Sequence, residues 1–159
     1  MEVKIKIIAH RGNLSGPSKL ENIPEQIDKC LAMNFDCEVD IWVTQKNILL
    51  GHDFGEYDIT FEWLHARASN LWIHCKNQES LFFLKSQKNS ELNFFWHQND
   101  NYTLTSKNDI WVFPGVSLIP GSVAVLPEIW TKPELAKSIS ECKGICTDFP
   151  MIFDSEYNS

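Results

Sequence analysis

The chain has 159 residues, 43% of them hydrophobic and 12% aromatic, which excludes a disordered protein and suffices for one domain with one core. Its formal net charge of −7 argues against a nucleic-acid-binding surface, because such a surface concentrates positive charge. No apolar run reaches the roughly 18 residues of a membrane span, and the N-terminal sequence MEVKIKIIAH lacks a signal-peptide pattern, so we expect neither feature.

The cysteines are odd in number and form no CxxC motif; they are Cys30, Cys37, Cys75, Cys142 and Cys146. This pattern predicts reduced, mostly buried thiols and therefore a cytoplasmic protein. A structural zinc site is the alternative, although the spacing differs from that of zinc-binding cysteine motifs.

The predicted elements begin with a strand and a helix. Residues 3–9 are mostly apolar and β-branched, which indicates a buried strand. Residues 21–34 carry apolar side chains at helical spacing, with Pro24 in the first turn, and they predict a helix with Asn22 as its N-cap.

The second predicted strand, residues 35–44, alternates in an informative way. Its apolar side chains fall on one face, whereas Glu38 and Asp40 fall together on the other. Two carboxylates a few ångströms apart on a half-buried strand are costly unless a cation compensates them, and they suit a hard divalent ion. A short strand at residues 48–50 follows.

Strands and helices continue to alternate over the rest of the chain. The pattern predicts strands at residues 71–75, 92–96, 110–113, 122–126 and 144–147, helices around 61–68, 79–88 and 132–141 (the last with Thr131 as N-cap), a loop at 98–109 and a frayed polar tail after Phe153. We therefore predict an α/β fold, arranged as a reduced (β/α) TIM-type barrel that lacks several outer helices. Residues 1–153 would form its single domain, and residues 154–159 the tail.

Polar side chains gather at or near the ends of three of these strands, at His10-Arg11-Gly12, Glu38-Val39-Asp40 and Gly51-His52-Asp53. Core packing does not require this set. Two histidines can exchange protons near neutral pH, and an arginine beside carboxylates can bind a phosphate. The set predicts a site that binds a metal and a phosphate and moves protons.

These motifs, together with Glu21-Asn22, resemble in type and order the signature of the glycerophosphodiester phosphodiesterase family, within the PLC-like phosphodiesterase superfamily. Residues 144–150 (GICTDFP) resemble the closing strand of that family. The resemblance implies a TIM barrel and the metal-dependent hydrolysis of a small soluble phosphodiester, such as a glycerophosphodiester, to an alcohol and a phosphomonoester. It also implies a role in lipid metabolism.

The resemblance implies residue roles as well. It makes His10 and His52 the acid–base pair, Arg11 and Lys76 the phosphate-binding residues, Glu38 and Asp40 metal ligands, and Glu21, Asp53 and His97 supporting residues. Asp148 is either a further site residue or a turn cap. The metal would be Mg²⁺ or Ca²⁺.

One departure from the family concerns the metal. The family usually carries Glu-x-Lys on the next strand, whereas this chain has His74-Cys75-Lys76. We predict His74 as the third metal ligand, which would favour Mn²⁺ or Zn²⁺, or Fe²⁺, over Mg²⁺ or Ca²⁺. A core histidine is the alternative.

Two further departures are the short segment after His52-Asp53 and the missing later helices. They leave two alternatives to a hydrolase: a non-catalytic module that binds a phosphate ligand, and a lyase-type enzyme that releases a cyclic phosphate. Missing outer helices would expose an apolar flank, so we also predict a homodimer.

Overall fold

One sheet of ten strands runs through residues 4–88, 90–129 and 137–159, which are the residues that this computed structural model describes. In chain order the strands are β1 (Lys6–His10), β2 (Asp36–Val43), β3 (Ile48–Leu50), β4 (Tyr57–Ile59), β5 (Leu71–Cys75), β6 (Asn93–Phe95), β7 (Tyr102–Leu104), β8 (Ile110–Val112), β9 (Val123–Val125) and β10 (Gly144–Thr147). The α-helices are α1 (Pro24–Ala32), α2 (Phe61–Ala66), α3 (Gln78–Ser86) and α4 (Pro150–Asn158).

Seven of these strands are parallel and lie in the order β6-β5-β2-β1-β10-β9-β8. The strand β3 pairs antiparallel with β2, β4 with β3, and β7 with β8. Because parallel strands end at the same edge of a sheet, the loops that follow them meet there. The α/β class predicted from the sequence is confirmed.

The sheet is not closed, so the structure does not show the reduced TIM-type barrel predicted from the sequence. Among the described residues no backbone ladder joins β6 to β8. The chain between them folds into β7, which pairs back on β8, and Ser106 hydrogen-bonds the backbone of Phe94 on β6. Across the gap the rings of Phe95 and Trp111 pack with centroids 4.6 Å apart, so side chains cover the interior where the ladder is missing.

The start of α1 corrects the prediction for Asn22. The N-cap is Ile23, and no side chain caps the helix, although Pro24 does occupy the first turn. Asn22 instead has a left-handed backbone (φ 61°), and its side chain bonds Asp40 on β2. Because the side chain of Asn22 bonds Asp40 on β2, it does not cap α1.

Other segments also differ from the sequence-based predictions. Strand β4 was not predicted, and β7 lies within the predicted loop 98–109. The C-terminal segment, predicted to fray, forms α4, because the side chain of Asn158 bonds both backbone polar groups of Ile5. The first half of the helix predicted at 132–141, with its N-cap Thr131, lies outside the described residues, and Ile139–Glu141 is a 3₁₀ turn.

All five cysteines are free and buried, as predicted. The group of described side chains that is arranged to hold a metal contains none of them, so nothing supports the zinc alternative at the cysteines. No helix in the described part of the chain is long and apolar enough to cross a membrane.

Candidate active site

A group of three potential metal ligands lies within β2 and near the carboxyl end of β5. Glu38, Asp40 and His74 each offer a ligand atom, and these atoms lie within 4.8 Å of one another. Asp40 and His74 are register partners in neighbouring parallel strands, which fixes them side by side. The alternation of β2 places Glu38 and Asp40 on the same face, as the sequence predicts.

The orientation of His74 leaves one ring nitrogen available to a metal. Its Nε2 lies 2.8 Å from the carbonyl oxygen of His97, which can only accept, so Nε2 carries the proton. Nδ1 then faces Asp40 Oδ1 at 3.3 Å and Glu38 Oε1 at 3.9 Å. A backbone carbonyl that fixes the tautomer in this way is typical of metal-binding histidines. The ring also stacks on Phe95, at 5.1 Å.

Asp40 is buried, and its two oxygens differ. Oδ2 accepts a hydrogen bond from Asn22 and lies 3.3 Å from Arg11 Nε. Oδ1 is buried without a hydrogen bond, with Lys76 Nζ 3.8 Å away. Burial alone would raise the pKa of Asp40, but His74, Arg11 and Asn22 outweigh it and lower the pKa to about 2. The carboxylate is therefore ionised, with one oxygen unsatisfied.

Glu38 is buried beside the negative charge of Asp40. Burial raises the pKa of Glu38, the charge of Asp40 raises it further, and the neighbouring His10, His74 and Arg11 oppose both effects. Two desolvated carboxylates this close are a cost that a bound cation removes.

A further buried carboxylate, that of Asp148, orients His10. Asp148, which follows β10, accepts a hydrogen bond from His10 Nδ1 at 2.8 Å. Burial lowers the pKa of His10, but the hydrogen bond to Asp148 and the charge of Glu38 outweigh it, so that the pKa is raised. With Nδ1 engaged, Nε2 is the nitrogen free for chemistry; it lies 3.9 Å from Glu38 Oε2.

Asn13 joins Asp148 to the loop after β1. Its side-chain nitrogen donates to Asp148 at 2.8 Å and to Glu21 at 2.9 Å. Glu21 in turn contacts Arg11 at 3.3 Å, so it supports the arginine and not the metal group. Asn13 was missed by sequence analysis because a lone Asn in a loop carries no pattern.

His52 and Asp53 lie at the rim of the same edge. His52 Nδ1 is 2.8 Å from Asp53 Oδ1, but the Asp53 side chain is 82% exposed. Burial and the charges of Arg11 and Lys76 lower the pKa of His52, and they outweigh the carboxylates of Asp40 and Asp53.

These residues surround a cavity of about 330 Å³. Its polar lining comprises Gln98 and seven residues predicted from the sequence: His10, Arg11, Glu38, His52, His74, Lys76 and His97. Asp40 contacts two of these lining residues, Arg11 and His74, whereas the side chain of Asp53 is exposed to solvent. The rest of the cavity lining is apolar, which the sequence did not predict.

Comparisons with known proteins show similarity at the level of the fold and not of the sequence. No family model matches the chain, and its sequence matches no curated protein. The structure is similar to that of a proposed glycerophosphodiester phosphodiesterase from Galdieria sulphuraria, with a TM-score of 0.55, 15% sequence identity and 99% of each chain covered. The two chains therefore share a mixed α/β fold with one large sheet over nearly their full lengths.

Proposed function

We propose that the chain is a metal-dependent phosphodiesterase that hydrolyses a small phosphodiester to an alcohol and a phosphomonoester. The observation that carries the proposal is the convergence, on one cavity, of a carboxylate–imidazole group with two cations and three further histidines. The fold likeness to a proposed phosphodiesterase supports it.

A divalent cation fits the donor set. Asp40 Oδ1 is buried without a hydrogen bond, Glu38 is buried beside it, and His74 turns Nδ1 towards both. These three residues would hold the ion, and when bound it would supply polarisation of the phosphoryl oxygens. Because one donor is an imidazole, we propose Mn²⁺ or Zn²⁺ ahead of Mg²⁺ or Ca²⁺.

Arg11 and Lys76 would bind the phosphate. Both line the cavity, and the contacts of Arg11 with Glu21 and Asp40 fix the direction of its guanidinium. A positioned guanidinium and an ammonium stabilise the charge that spreads over the phosphoryl oxygens as the bond to the leaving group breaks.

The two histidines would divide the proton transfers. Asp148 stabilises the protonated form of His10, which makes His10 the group that protonates the departing alkoxide. Burial and the neighbouring cations favour neutral His52, which suits it to accept the proton of the attacking water.

The experiment is hydrolysis of bis(p-nitrophenyl) phosphate and a panel of glycerophosphodiesters in the presence of Mg²⁺, Mn²⁺, Ca²⁺ or Zn²⁺. We expect His10→Ala and His52→Ala each to lower kcat by about a hundredfold or more. The matched control is His65→Ala, since His65 is exposed on α2 and does not line the cavity. Equal rates for wild type and both cavity variants with every metal would refute the proposal.

Product analysis by ³¹P NMR distinguishes the reaction types. A phosphomonoester as the first product supports hydrolysis by water, whereas a cyclic phosphate would assign attack by a substrate hydroxyl. Binding of substrate without any turnover would support the alternative, a non-catalytic module that binds a phosphate ligand.

A further inference from the structure

Part of the cavity lining forms an apolar wall. It is formed at the ends of β8 and β9 by five residues: Trp111, Phe113, Pro114, Val125 and Leu126. The polar side chains belong instead to β1, β2 and β5 and to the loops that follow β3 and β6. The two halves of the cavity thus come from different halves of the sheet.

Aromatic packing holds this wall in place. The ring of Trp111 packs against Phe95 at 4.6 Å and against Trp72 at 5.8 Å. Phe113 meets the ring of His97 edge to face at 5.6 Å. Rings fixed in such arrangements present a preformed surface, so a ligand need not order them on binding.

Backbone strain marks Leu126. Five non-glycine residues among those described have positive φ, and three of them are Asn, which tolerates this conformation. The other two, Arg11 (φ 54°) and Leu126 (φ 49°), both line the cavity. A hydrogen bond of 2.7 Å from Leu126 N to Cys146 O holds the strained turn. Strain of this kind concentrates at ligand-binding sites.

We infer that the apolar wall is a subsite for an apolar substituent of the phosphodiester, an alkyl or aryl group in place of a glycerol. The inference rests on the proposed function for the phosphate-binding half of the cavity. A glycerol placed here would bury its hydroxyls against side chains that offer few hydrogen bonds, whereas an alkyl chain would exchange water for apolar contact.

Binding of phosphomonoesters tests the subsite without turnover. Isothermal titration with Mn²⁺ present would compare propyl phosphate with glycerol 1-phosphate, which differ by two hydroxyls, and methyl with butyl phosphate. We expect propyl phosphate to bind at least about tenfold more tightly than glycerol 1-phosphate. We also expect about threefold tighter binding for each methylene from methyl to butyl phosphate.

The test variant is Leu126→Asn, because Asn accepts the left-handed backbone and places an amide in the wall. It should reduce the butyl-to-methyl affinity ratio several-fold. The control Leu104→Asn makes the same substitution at an exposed position on β7 that does not line the cavity, and should leave the ratio unchanged. Phe113→Ser repeats the test if circular dichroism shows that Leu126→Asn does not fold.

Equal affinities for propyl and glycerol phosphate, or no binding of any alkyl phosphate, would overturn the subsite. The proposed function can fail separately. Chain-length-dependent binding without hydrolysis of any phosphodiester would refute the enzyme and retain the subsite, whereas hydrolysis without preference for apolar substituents would retain the enzyme alone.

Discussion

Two His–Asp pairs adjoin the cavity with the same separation and different surroundings. His10–Asp148 and His52–Asp53 each have an Nδ1 to Oδ1 distance of 2.8 Å. The side chains of the first pair are 12% and 10% exposed, and those of the second are 40% and 82% exposed. Burial therefore separates two contacts that a distance alone would equate.

The pKa values of His10 and His52 shift in opposite directions. Both are subject to a burial effect that lowers the pKa, yet the pKa of His10 is raised and that of His52 is lowered. Asp148 acts through a low-dielectric contact that Asn13 also anchors. Water screens Asp53, and the cations of Arg11 and Lys76 act more strongly on His52. The same pair of residue types can thus favour an acid in one place and a base in another.

The largest effect that tests this comparison is catalytic. Asp148→Asn removes the charge that stabilises protonated His10 and the acceptor that fixes its tautomer, so we expect kcat to fall by about a hundredfold or more. The basic limb of the pH–rate profile should also move to lower pH, because the pKa of His10 falls. Steady-state kinetics on bis(p-nitrophenyl) phosphate measure both. A kcat within threefold of wild type would show that the buried pair has no catalytic role.

His74 extends the comparison to a third histidine, which is oriented by a carbonyl and not by a carboxylate. The carbonyl engages Nε2 and leaves Nδ1 facing Glu38 and Asp40, which suits a metal ligand. We expect His74→Ala to weaken Mn²⁺ binding by about ten- to a hundredfold. His74→Glu should retain a three-ligand site and shift its preference towards Mg²⁺ or Ca²⁺.

Isothermal titration with each metal checks this expectation, and His65→Ala is again the matched control. Unchanged Mn²⁺ affinity in His74→Ala would remove His74 from the site.

Stability gives a smaller effect. In metal-free protein we expect Asp148→Asn to lower the free energy of unfolding at pH 7 by about 1–3 kcal/mol, because the mutation breaks buried hydrogen bonds to a charge. His10 and Asn13 hold the pKa of Asp148 below its ordinary 3.8, although burial opposes them. The stabilisation is therefore present above pH 4 and lost as pH falls through the folded-state pKa.

Urea denaturation of both proteins between pH 3 and pH 7 measures the difference in unfolding free energy. A difference that stayed constant down to pH 3 would mean that the charge of Asp148 contributes nothing to stability.

How much of this the sequence could predict depends on the range of the interactions. The pairing of Glu38 with Asp40 follows from alternation within one strand, and His10, Arg11 and His52 follow from strand ends, so local patterns suffice. The partnership of His10 with Asp148 spans 138 positions and depends on the parallel register of Ala9 with Thr147. Periodicity carries no record of that register, so the sequence left Asp148 between a site residue and a turn cap.

The open edge of the sheet was missed for a related reason. An apolar run predicts that a strand exists, but not how many residues pair or with which neighbour. The runs at 92–96 and 110–113 each form strands of three residues, and they pair with other strands, the first with β5 and the second with β7 and β9. The apolar wall follows from the same segment, since Trp111 fills the space between the two edges.

The exposed pair gives the smallest effect and the most direct test of the role of burial. Asp53→Asn removes a weakly acting charge, so kcat should stay within about threefold and stability within about 0.5 kcal/mol of wild type. Loss of that charge lowers the pKa of His52 slightly further, so the acid limb of the pH–rate profile should move to lower pH by a few tenths of a unit. The same profile recorded in 0.5 M salt should reduce the shift, because salt screens an exposed pair. A loss of activity comparable with that of Asp148→Asn would mean that both pairs orient a catalytic ring, and that separation, and not burial, decides what a His–Asp contact does here.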